Sequence, residues 1–226
     1  MKSLAEQILH FLFTIDLNIK LPRHVEVMDV YKDVEVQKTC RQFYSKYYND
    51  HQPRILLLGI NPGRYGGGIT GIPFTDPINI EKFCSIQNNW KKQQELSSLF
   101  IYEMIEACGG PQLFYQQFYI SAVSPLGFVK AGKNLNYYDD LLLLKRIEPL
   151  VIKWLKQQIE FGLNTNVCFC IGDGENFKYL NKLNDKYQFF HQVKSLPHPR
   201  FIMQYRLKKK QEYIQLYKNS LSVSNL

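Results

Sequence analysis

The sequence predicts an α/β fold: a three-layer α/β/α sandwich around a central, mostly parallel four-stranded sheet. Four short apolar or β-rich runs are bounded by turn signals, and segments of helical periodicity separate them. These predicted strands are residues 55–60, 118–123, 167–171 and 189–196. Because parallel neighbours need long crossover connections, this alternation favours a parallel sheet with helices on both faces.

The predicted helices have recognisable ends. Ser3 followed by Glu6 is a capping-box pattern, which predicts an amphipathic helix at the start of the chain. A later helical segment runs into Gly109-Gly110, a common way for a helix to stop. The helices predicted after the first strand are residues 90–108, 138–161, 172–183 and 205–220.

Composition limits the class of protein. The chain has 226 residues and is 45% hydrophobic, enough for a full core, and we expect a single domain over residues 1–226. The excess of 28 Lys and Arg over 20 Asp and Glu gives a net charge of +8, which favours a polyanionic partner such as nucleic acid. No segment reaches transmembrane length and no signal peptide is evident, so we expect a cytoplasmic monomer without membrane contact.

The five cysteines indicate a reduced protein. They form no Cys-x-x-Cys pair, and their odd number does not suit a disulfide scaffold. Cys168 and Cys170 flank Phe169 in a strand-like run, so we expect both on one face, packed as small apolar residues. We expect no metal site and no cofactor.

The most informative segment is the loop that follows the first predicted strand. It contains six glycines, at 59, 63, 66, 67, 68 and 71, and one amide side chain, Asn61. Glycines without a packing role suggest a ligand that approaches the backbone closely. Far downstream, His198 follows the last predicted strand. Since the carboxyl ends of parallel strands share one edge, we expect Asn61, Ser124-Pro-Leu126, Gly172-Asp173 and His198 on one rim, forming an active site.

Several motifs then resemble a known family. Gly59-Ile60-Asn61-Pro62-Gly63, followed by Gly66, Thr70-Gly71 and Pro73-Phe74, is similar to the first motif of the single-strand-selective monofunctional branch of the uracil-DNA glycosylase superfamily. His198-Pro199-Arg200 resembles the second motif, which leads into a DNA-wedging loop. Between them, Ser124-Pro-Leu126 and residues 132–135 occur in the family's order. The resemblance covers most of the chain from about residue 20 onward.

The resemblance implies a monofunctional DNA glycosylase that removes uracil or a modified pyrimidine in base excision repair. Breaking an N-glycosidic bond develops positive charge on the sugar and negative charge on the departing base. By analogy, Asn61 orients a water, His198 donates a hydrogen bond to a carbonyl oxygen of the base, and Phe74 stacks on the extruded base. The further implied substrate-binding residues are Gly59, Ile60, Pro62, Gly63, Gly66, Gly67 and Ser121.

Each of these roles has a structural alternative. Asn61 could instead be a loop-cap amide, His198 could be satisfied by backbone in its Pro-bracketed turn, and Phe74 could be an ordinary core residue. For contacts with DNA, we expect phosphate binding by cations and a wedge from one apolar side chain. The candidates are Arg200, Arg206 and Lys208 for phosphate, and Phe201, Ile202 and Met203 for the wedge. The alternative is a helix start with a solvated basic face.

The sequence also departs from the family. Ala122, with Ser121 beside it, stands where the family has an asparagine that reads the pyrimidine edge. Ser121 could supply a weaker hydrogen bond, backbone groups could read the base, or the preferred base could differ; a lost hydrogen bond to a buried edge costs roughly 1–3 kcal/mol. Gly67 and Gly68 replace larger residues of the family's first motif. Gly63 stands where other branches have an aromatic side chain against the thymine methyl. We therefore hypothesise room for bulky 5-substituents such as that of 5-hydroxymethyluracil.

Two competing functions stay open. A non-catalytic DNA-binding member of the fold, which has lost uracil recognition, would show salt-sensitive binding without base release. A small-molecule hydrolase of nucleotides would act on free nucleotides and not on oligonucleotides. No lysine stands in the motif positions to form a Schiff base, so we expect no strand cleavage.

Overall fold

A central parallel sheet organises the molecule. The computed structural model describes residues 2–222; Met1 and residues 223–226 of the expected domain lie outside them. The sheet has the order β3-β2-β6-β7, and every neighbouring pair is parallel. Its strands are β2 (Ile55–Gly59), β3 (Phe118–Ala122), β6 (Asn164–Ile171) and β7 (Gln192–Leu196). The four predicted strands and the predicted fold class are confirmed.

Two groups of helices flank this sheet and complete the three-layer sandwich. In one group, α1 packs against α2 and α7; in the other, α5 packs against α9 and α10. The helices are α1 (Leu4–Thr14), α2 (Val34–Tyr47), α3 (Gly67–Thr70), α4 (Pro77–Cys84), α5 (Leu96–Ala107), α6 (Pro111–Gln117), α7 (Leu141–Ile159), α8 (Glu175–Tyr187), α9 (Pro199–Tyr205) and α10 (Lys210–Ser222). The capping box of α1 is confirmed, because the Ser3 and Glu6 side chains accept each other's backbone N–H.

Several predicted boundaries move for identifiable reasons. The helix predicted from residue 90 begins only at Leu96, where the Glu95 side chain caps it by accepting the N–H of Ser98. The helix predicted over 205–220 begins only at Lys210, as α10, because a 3₁₀ turn at Leu207–Lys209 separates it from α9, which ends at Tyr205. Strand β7 begins at Gln192 and not at 189, since the Asn184 side chain holds the backbone of Phe190 in a turn.

A small antiparallel sheet was not predicted. It has the order β1-β4-β5, formed by β1 (Val25–Met28), β4 (Gly127–Lys130) and β5 (Lys133–Leu135). The β4-β5 hairpin turns at Ala131 and Gly132, whose φ angles are 49° and 70°. Two positive φ angles in a row match the tight hairpin turn whose twist suits antiparallel strands. This hairpin carries the segment after β5 to the edge of the central sheet.

The core is continuous across the sandwich. Strand β2 is buried along its whole length, and Cys168 and Cys170 are both buried among apolar neighbours, as expected. Within residues 2–222, Arg54 and Asp76 are charged residues that are fully buried. Arg54 donates to the carbonyl of Tyr115 at 2.8 Å and to that of Gln52 at 2.7 Å, and pairs with Asp50 at 2.7 Å. Across residues 2–222, no helix combines the length and apolar character that a membrane span requires.

Candidate active site

A cavity of about 410 Å³ lies at the carboxyl ends of the parallel strands. Its walls come from the glycine loop after β2, the end of β3, the turn after β6 and the start of α9. Most of the residues predicted from sequence border it: Gly59, Ile60, Asn61, Pro62, Gly63, Gly67, Phe74, Ser121, His198, Arg200 and Phe201. The predicted rim is therefore a single concave site, apart from Ser124-Pro-Leu126, where the Ser124 side chain is fully buried.

Asn61 is held in place by backbone on both sides of its amide. Its Oδ1 accepts the N–H of Tyr137 at 3.0 Å, and its Nδ2 donates to the carbonyls of Leu135 at 3.3 Å and Pro62 at 3.4 Å. The backbone donor fixes which side of the amide carries the oxygen. The side chain is thus a loop brace, as the structural alternative supposed. It also borders the cavity, and its oxygen keeps a second lone pair that can accept from a water.

His198 presents a neutral ring to the same cavity. Its Nδ1 caps α9 by accepting the N–H of Arg200 at 3.1 Å, so the proton of the neutral ring lies on Nε2. Burial, and secondly the nearby Arg200 guanidinium, lower the pKa of His198 to about 4. At neutral pH the ring is therefore an uncharged hydrogen-bond donor through Nε2.

Phe74 forms an aromatic wall beside His198. The two ring centroids are 6.0 Å apart, and Phe74 is half-buried, with a φ of 52° that few bulky residues adopt. A Cβ at position 59 would lie 2.8 Å from Cε2 of Phe74. Glycine at 59 is thus needed for the Phe74 ring to lie where it does. The turn that carries Phe74 is fixed by a 2.7 Å hydrogen bond from the Thr70 hydroxyl to the carbonyl of Thr75.

Strand register decides which of Ser121 and Ala122 faces the cavity. Ala122 pairs with Gly59, whose Cβ position meets the Phe74 ring, whereas Ser121 pairs with Leu58. Side chains alternate between the two faces of a strand, so Ala122 lies on the Phe74 side and Ser121 on the other. The Ser121 hydroxyl interacts with Tyr119. Of the predicted alternatives, a base contact from the Ser121 hydroxyl is therefore disfavoured, although Ser121 borders the site.

The loop glycines have different environments. Gly66 was predicted to bind substrate, but it is buried behind the loop, where a Cβ would lie 2.8 Å from Oε2 of Glu95. Gly66 therefore does not border the cavity, and the side chain of Glu95 fills the space beside it. At Gly67, which borders the cavity, a Cβ would lie 3.1 Å from the carbonyl oxygen of Ile72. At Gly63 a Cβ would meet only Nδ2 of Asn134, at 3.4 Å, so space remains there.

Helix α9 divides the predicted wedge residues. Ile202 is 0% exposed and Met203 7% exposed, in the core where α9 packs against α5. Neither can enter DNA from this position, so the prediction is wrong for both. Phe201 is 41% exposed and borders the cavity, and its ring lies 5.8 Å from that of the exposed Tyr205.

The predicted phosphate contacts are also divided. Arg200 is exposed at the cavity. Arg206 and Lys208 are exposed but do not border it, and the Arg206 guanidinium lies 5.4 Å from the Phe201 ring centroid. Both are therefore placed to act only on DNA that extends beyond the cavity.

The sequence did not single out several residues of the cavity: Glu95, Ser97, Asn134, Asn136, Tyr138, Asn176, Gln204 and Tyr205. Asn136 is half-buried, and within residues 2–222 its side-chain amide makes no hydrogen bond. Asn176 is fully buried, accepting from the Tyr137 hydroxyl at 2.7 Å and donating to Sγ of Cys170 at 3.1 Å. Burial raises the pKa of Glu95. In the sequence, only its position shortly after Gly172-Asp173 could have suggested Asn176 as a cavity residue.

The described part of the chain brings no three His, Cys, Asp or Glu side chains together in a group that could hold a metal ion. The polar groups of the cavity are instead amides, hydroxyls, one imidazole and scattered charges. Such a set can orient a water, stack an aromatic ring and donate a hydrogen bond to a carbonyl oxygen.

Comparison with known proteins identifies the family of this chain. The family model of the uracil DNA glycosylase superfamily matches residues 45–222. The single-strand selective monofunctional uracil-DNA glycosylase of Rattus norvegicus is 26% identical over 157 residues, covering 61% of this chain and 56% of that protein. The Mus musculus protein of the same description is 25% identical over 153 residues, covering 59% and 55%. The chain thus spans just over half the length of these relatives.

A solved structure is similar over the whole chain. The crystal structure of wild-type Pedobacter heparinus SMUG2 superposes with a TM-score of 0.97 and 44% identity, covering 100% of this chain and 99% of that one. The family match covers the central sheet from β2 onward, including both predicted motifs. The chain therefore belongs to the uracil DNA glycosylase superfamily and resembles its single-strand-selective monofunctional branch.

Proposed function

We propose that this protein is a monofunctional DNA glycosylase, which hydrolyses the N-glycosidic bond of uracil or a modified pyrimidine in DNA during base excision repair. The observation that carries the proposal is the convergence of the Asn61 carbonyl, the His198 ring and the Phe74 ring on one cavity. The names of the rodent relatives support uracil as a base to test first.

The proposed reaction needs no titrating base in the protein. The extruded pyrimidine stacks on Phe74, and Nε2–H of His198 donates to its carbonyl oxygen as the C1′–N1 bond breaks and the base leaves as an anion. Asn61 Oδ1 accepts from the water whose oxygen bonds to C1′. That water releases a proton, and the departing base or solvent takes it up. A neutral imidazole suits this task, because it polarises a carbonyl without carrying charge of its own.

The proposal excludes cleavage of the DNA strand. A bifunctional enzyme requires an amine that attacks C1′, and no lysine borders the cavity in the described structure. The expected product is therefore an intact strand with an abasic site.

The choice of base depends on Ala122 and Gly63. On the Phe74 side of the cavity, Ala122 has a methyl group where a polar side chain would hydrogen-bond to the edge of the pyrimidine. Discrimination between bases therefore depends on His198 and on backbone groups. The space at Gly63 supports acceptance of 5-substituted pyrimidines. Assays should therefore compare uracil with 5-hydroxymethyluracil, in single and double strands. A strong preference for plain uracil would contradict the proposed space beside C5.

The test is base release from a uracil-containing oligonucleotide, measured as alkali-sensitive abasic sites. Asn61→Ala and His198→Ala should each lower the rate by far more than tenfold, and tenfold corresponds to about 1.4 kcal/mol of transition-state stabilisation. Matched controls are Asn166→Ala and His191→Ala, both exposed and outside the cavity. Thermal unfolding should verify that all four variants fold. A loss below tenfold in both cavity variants would overturn the catalytic assignment.

A second candidate is a non-catalytic DNA-binding protein. The apolar Ala122 in the cavity favours it, since a reader of the pyrimidine edge is missing there. This candidate predicts DNA binding that weakens with salt, and no base release from any lesion in a panel. Release of any base by the unaltered protein, abolished in Asn61→Ala, would exclude it.

A further inference from the structure

A second groove, of about 400 Å³, adjoins the cavity. Gly63, Glu95, Asn134, Arg200 and Gln204 border both, so the two spaces are continuous. We call it the flanking groove and define it by the residues used below: Arg64, Tyr65, Leu96, Lys133, Asn134 and Arg200. None of the first four borders the cavity itself.

The flanking groove contains a cationic donor without an acceptor. Nε of Arg64 is buried and has no hydrogen-bond partner. The rest of the residue is anchored: its backbone N–H donates to Oδ1 of Asn134 at 3.2 Å, and its Nη2 donates to the Tyr65 hydroxyl at 3.2 Å. The side chain therefore has only neutral partners within residues 2–222, so its guanidinium charge remains able to pair with an anion that enters the groove.

The positive charge of the groove is not neutralised by the protein. Within residues 2–222, Arg64, Lys133 and Arg200 form no salt bridge. The carboxyl group that borders the groove belongs to Glu95, and burial raises its pKa. Three cations without a salt-bridge partner beside a single carboxyl group suit the binding of a phosphate.

An exposed ring lies beside these cations. Tyr65 is 42% exposed and Leu96 41% exposed, although both are large apolar groups. The Arg64 guanidinium lies 5.1 Å from the Tyr65 ring centroid, which holds the ring in one orientation. Cations next to an exposed aromatic face are the combination that binds single-stranded nucleic acid, because phosphates pair with the cations while bases stack.

We propose that the flanking groove binds the nucleotide next to the one extruded into the cavity, its phosphate at Arg64 and Lys133 and its base against Tyr65. Because the two spaces share Gly63, Asn134 and Arg200 in their walls, a strand that leaves the cavity past these residues would enter this groove. The identity of the ligand as a DNA strand rests on the proposed function. The binding itself does not require base release.

Binding to an undamaged strand tests the proposal independently of catalysis. Fluorescence anisotropy with a labelled oligothymidylate should show about five- to tenfold weaker binding for Tyr65→Ala and for Arg64→Gln. Tyr65→Trp should bind at least as well as the unaltered protein, since it keeps a stacking surface. The controls are Leu113→Ala and Arg23→Gln, exposed residues outside both spaces. Unchanged binding in both groove variants, or equal loss in the controls, would overturn the proposal.

Short substrates test the position of the subsite. Single-turnover release should be compared for a deoxyuridine nucleotide with one thymidine neighbour, on its 5′ side or on its 3′ side. Tyr65→Ala should lower kcat/KM on one of these two substrates and leave the other unchanged. Equal loss on both, or loss on neither, would refute a flanking site. An inactive protein that still loses oligothymidylate affinity in Tyr65→Ala would contradict the proposed function and leave the groove in place.

Discussion

The His198 ring should stay neutral and active far below the ordinary pH range of histidine. Its pKa is lowered to about 4, first by burial and then by the Arg200 guanidinium. Geometry acts in the same direction, because Nδ1 accepts the N–H of Arg200. Protonation would put a hydrogen on Nδ1, facing that N–H, so the cation forms only if the helix cap breaks.

The size of the effect follows from the fraction of neutral ring. At pH 5, a group with a pKa of about 4 is about 90% neutral, whereas one with the ordinary value of about 6.5 is about 3% neutral. If the neutral ring is the active form, the two cases differ by about thirtyfold in rate at pH 5. Activity should thus be nearly level from pH 7.5 to 5 and fall only near pH 4.

Single-turnover base release, with enzyme in excess over a uracil-containing single strand, gives the profile. Near-ultraviolet circular dichroism should verify the fold at each pH. Glu95, Asp173, Glu175 and Arg200 are the other charged groups at the cavity. Glu95→Gln should leave the fall in activity at the same low pH. Arg200→Gln should move that fall to higher pH, because it removes the smaller of the two causes that lower the pKa of His198. A midpoint near pH 6.5, or a rate that rises on acidification, would refute a neutral His198 donor.

Five further substitutions, two of them controls, test the site and the core. Gly59→Ala should lower kcat/KM at least about tenfold in the base-release assay, because its Cβ displaces the Phe74 ring, while Gly63→Ala should stay near the unaltered value. Gly63→Tyr should reduce release of 5-hydroxymethyluracil more than release of uracil; equal losses would contradict the space assigned beside C5. Arg54→Met should lower the free energy of unfolding in urea by at least about 2 kcal/mol, since a buried carbonyl loses its donor. Asp50→Asn, at a half-exposed partner, should cost less than about 1 kcal/mol, and the reverse order would contradict the assignment.

Strands β2, β3 and β6 of the central sheet could be predicted because each contains a run of apolar residues, whereas β7 shows the alternation of a half-buried strand. Strand β2 is buried on both faces, so its sequence contains no competing pattern. The antiparallel sheet lacks this signal: β5 is the exposed sequence Lys133–Leu135, whose strand conformation depends on pairing with β4. Helix α2 was missed for a similar reason, since its polar majority obscures the buried stripe that packs on α1.

Residue chemistry supplied the candidate residues, but strand register and helix phase decide which of them border the cavity. Phe201, Ile202 and Met203 are equivalent as apolar side chains, and only the rotation of α9 leaves Phe201 at the surface. Likewise, Ser121 was the better hydrogen-bonding candidate by residue type. A one-residue difference in strand position nevertheless turns it away from Phe74 and turns Ala122 toward it.

The unpredicted antiparallel sheet positions Asn61, for which the sequence predicted a catalytic role. Asn61 receives the N–H of Tyr137 and donates to the carbonyl of Leu135, and both belong to the segment that follows the β4-β5 hairpin. An amide oxygen held by a backbone donor offers its second lone pair in a fixed direction, which a water-orienting group requires. The structural alternative for Asn61, a loop brace, is therefore not a competitor of the catalytic role: the brace fixes the orientation on which that role depends.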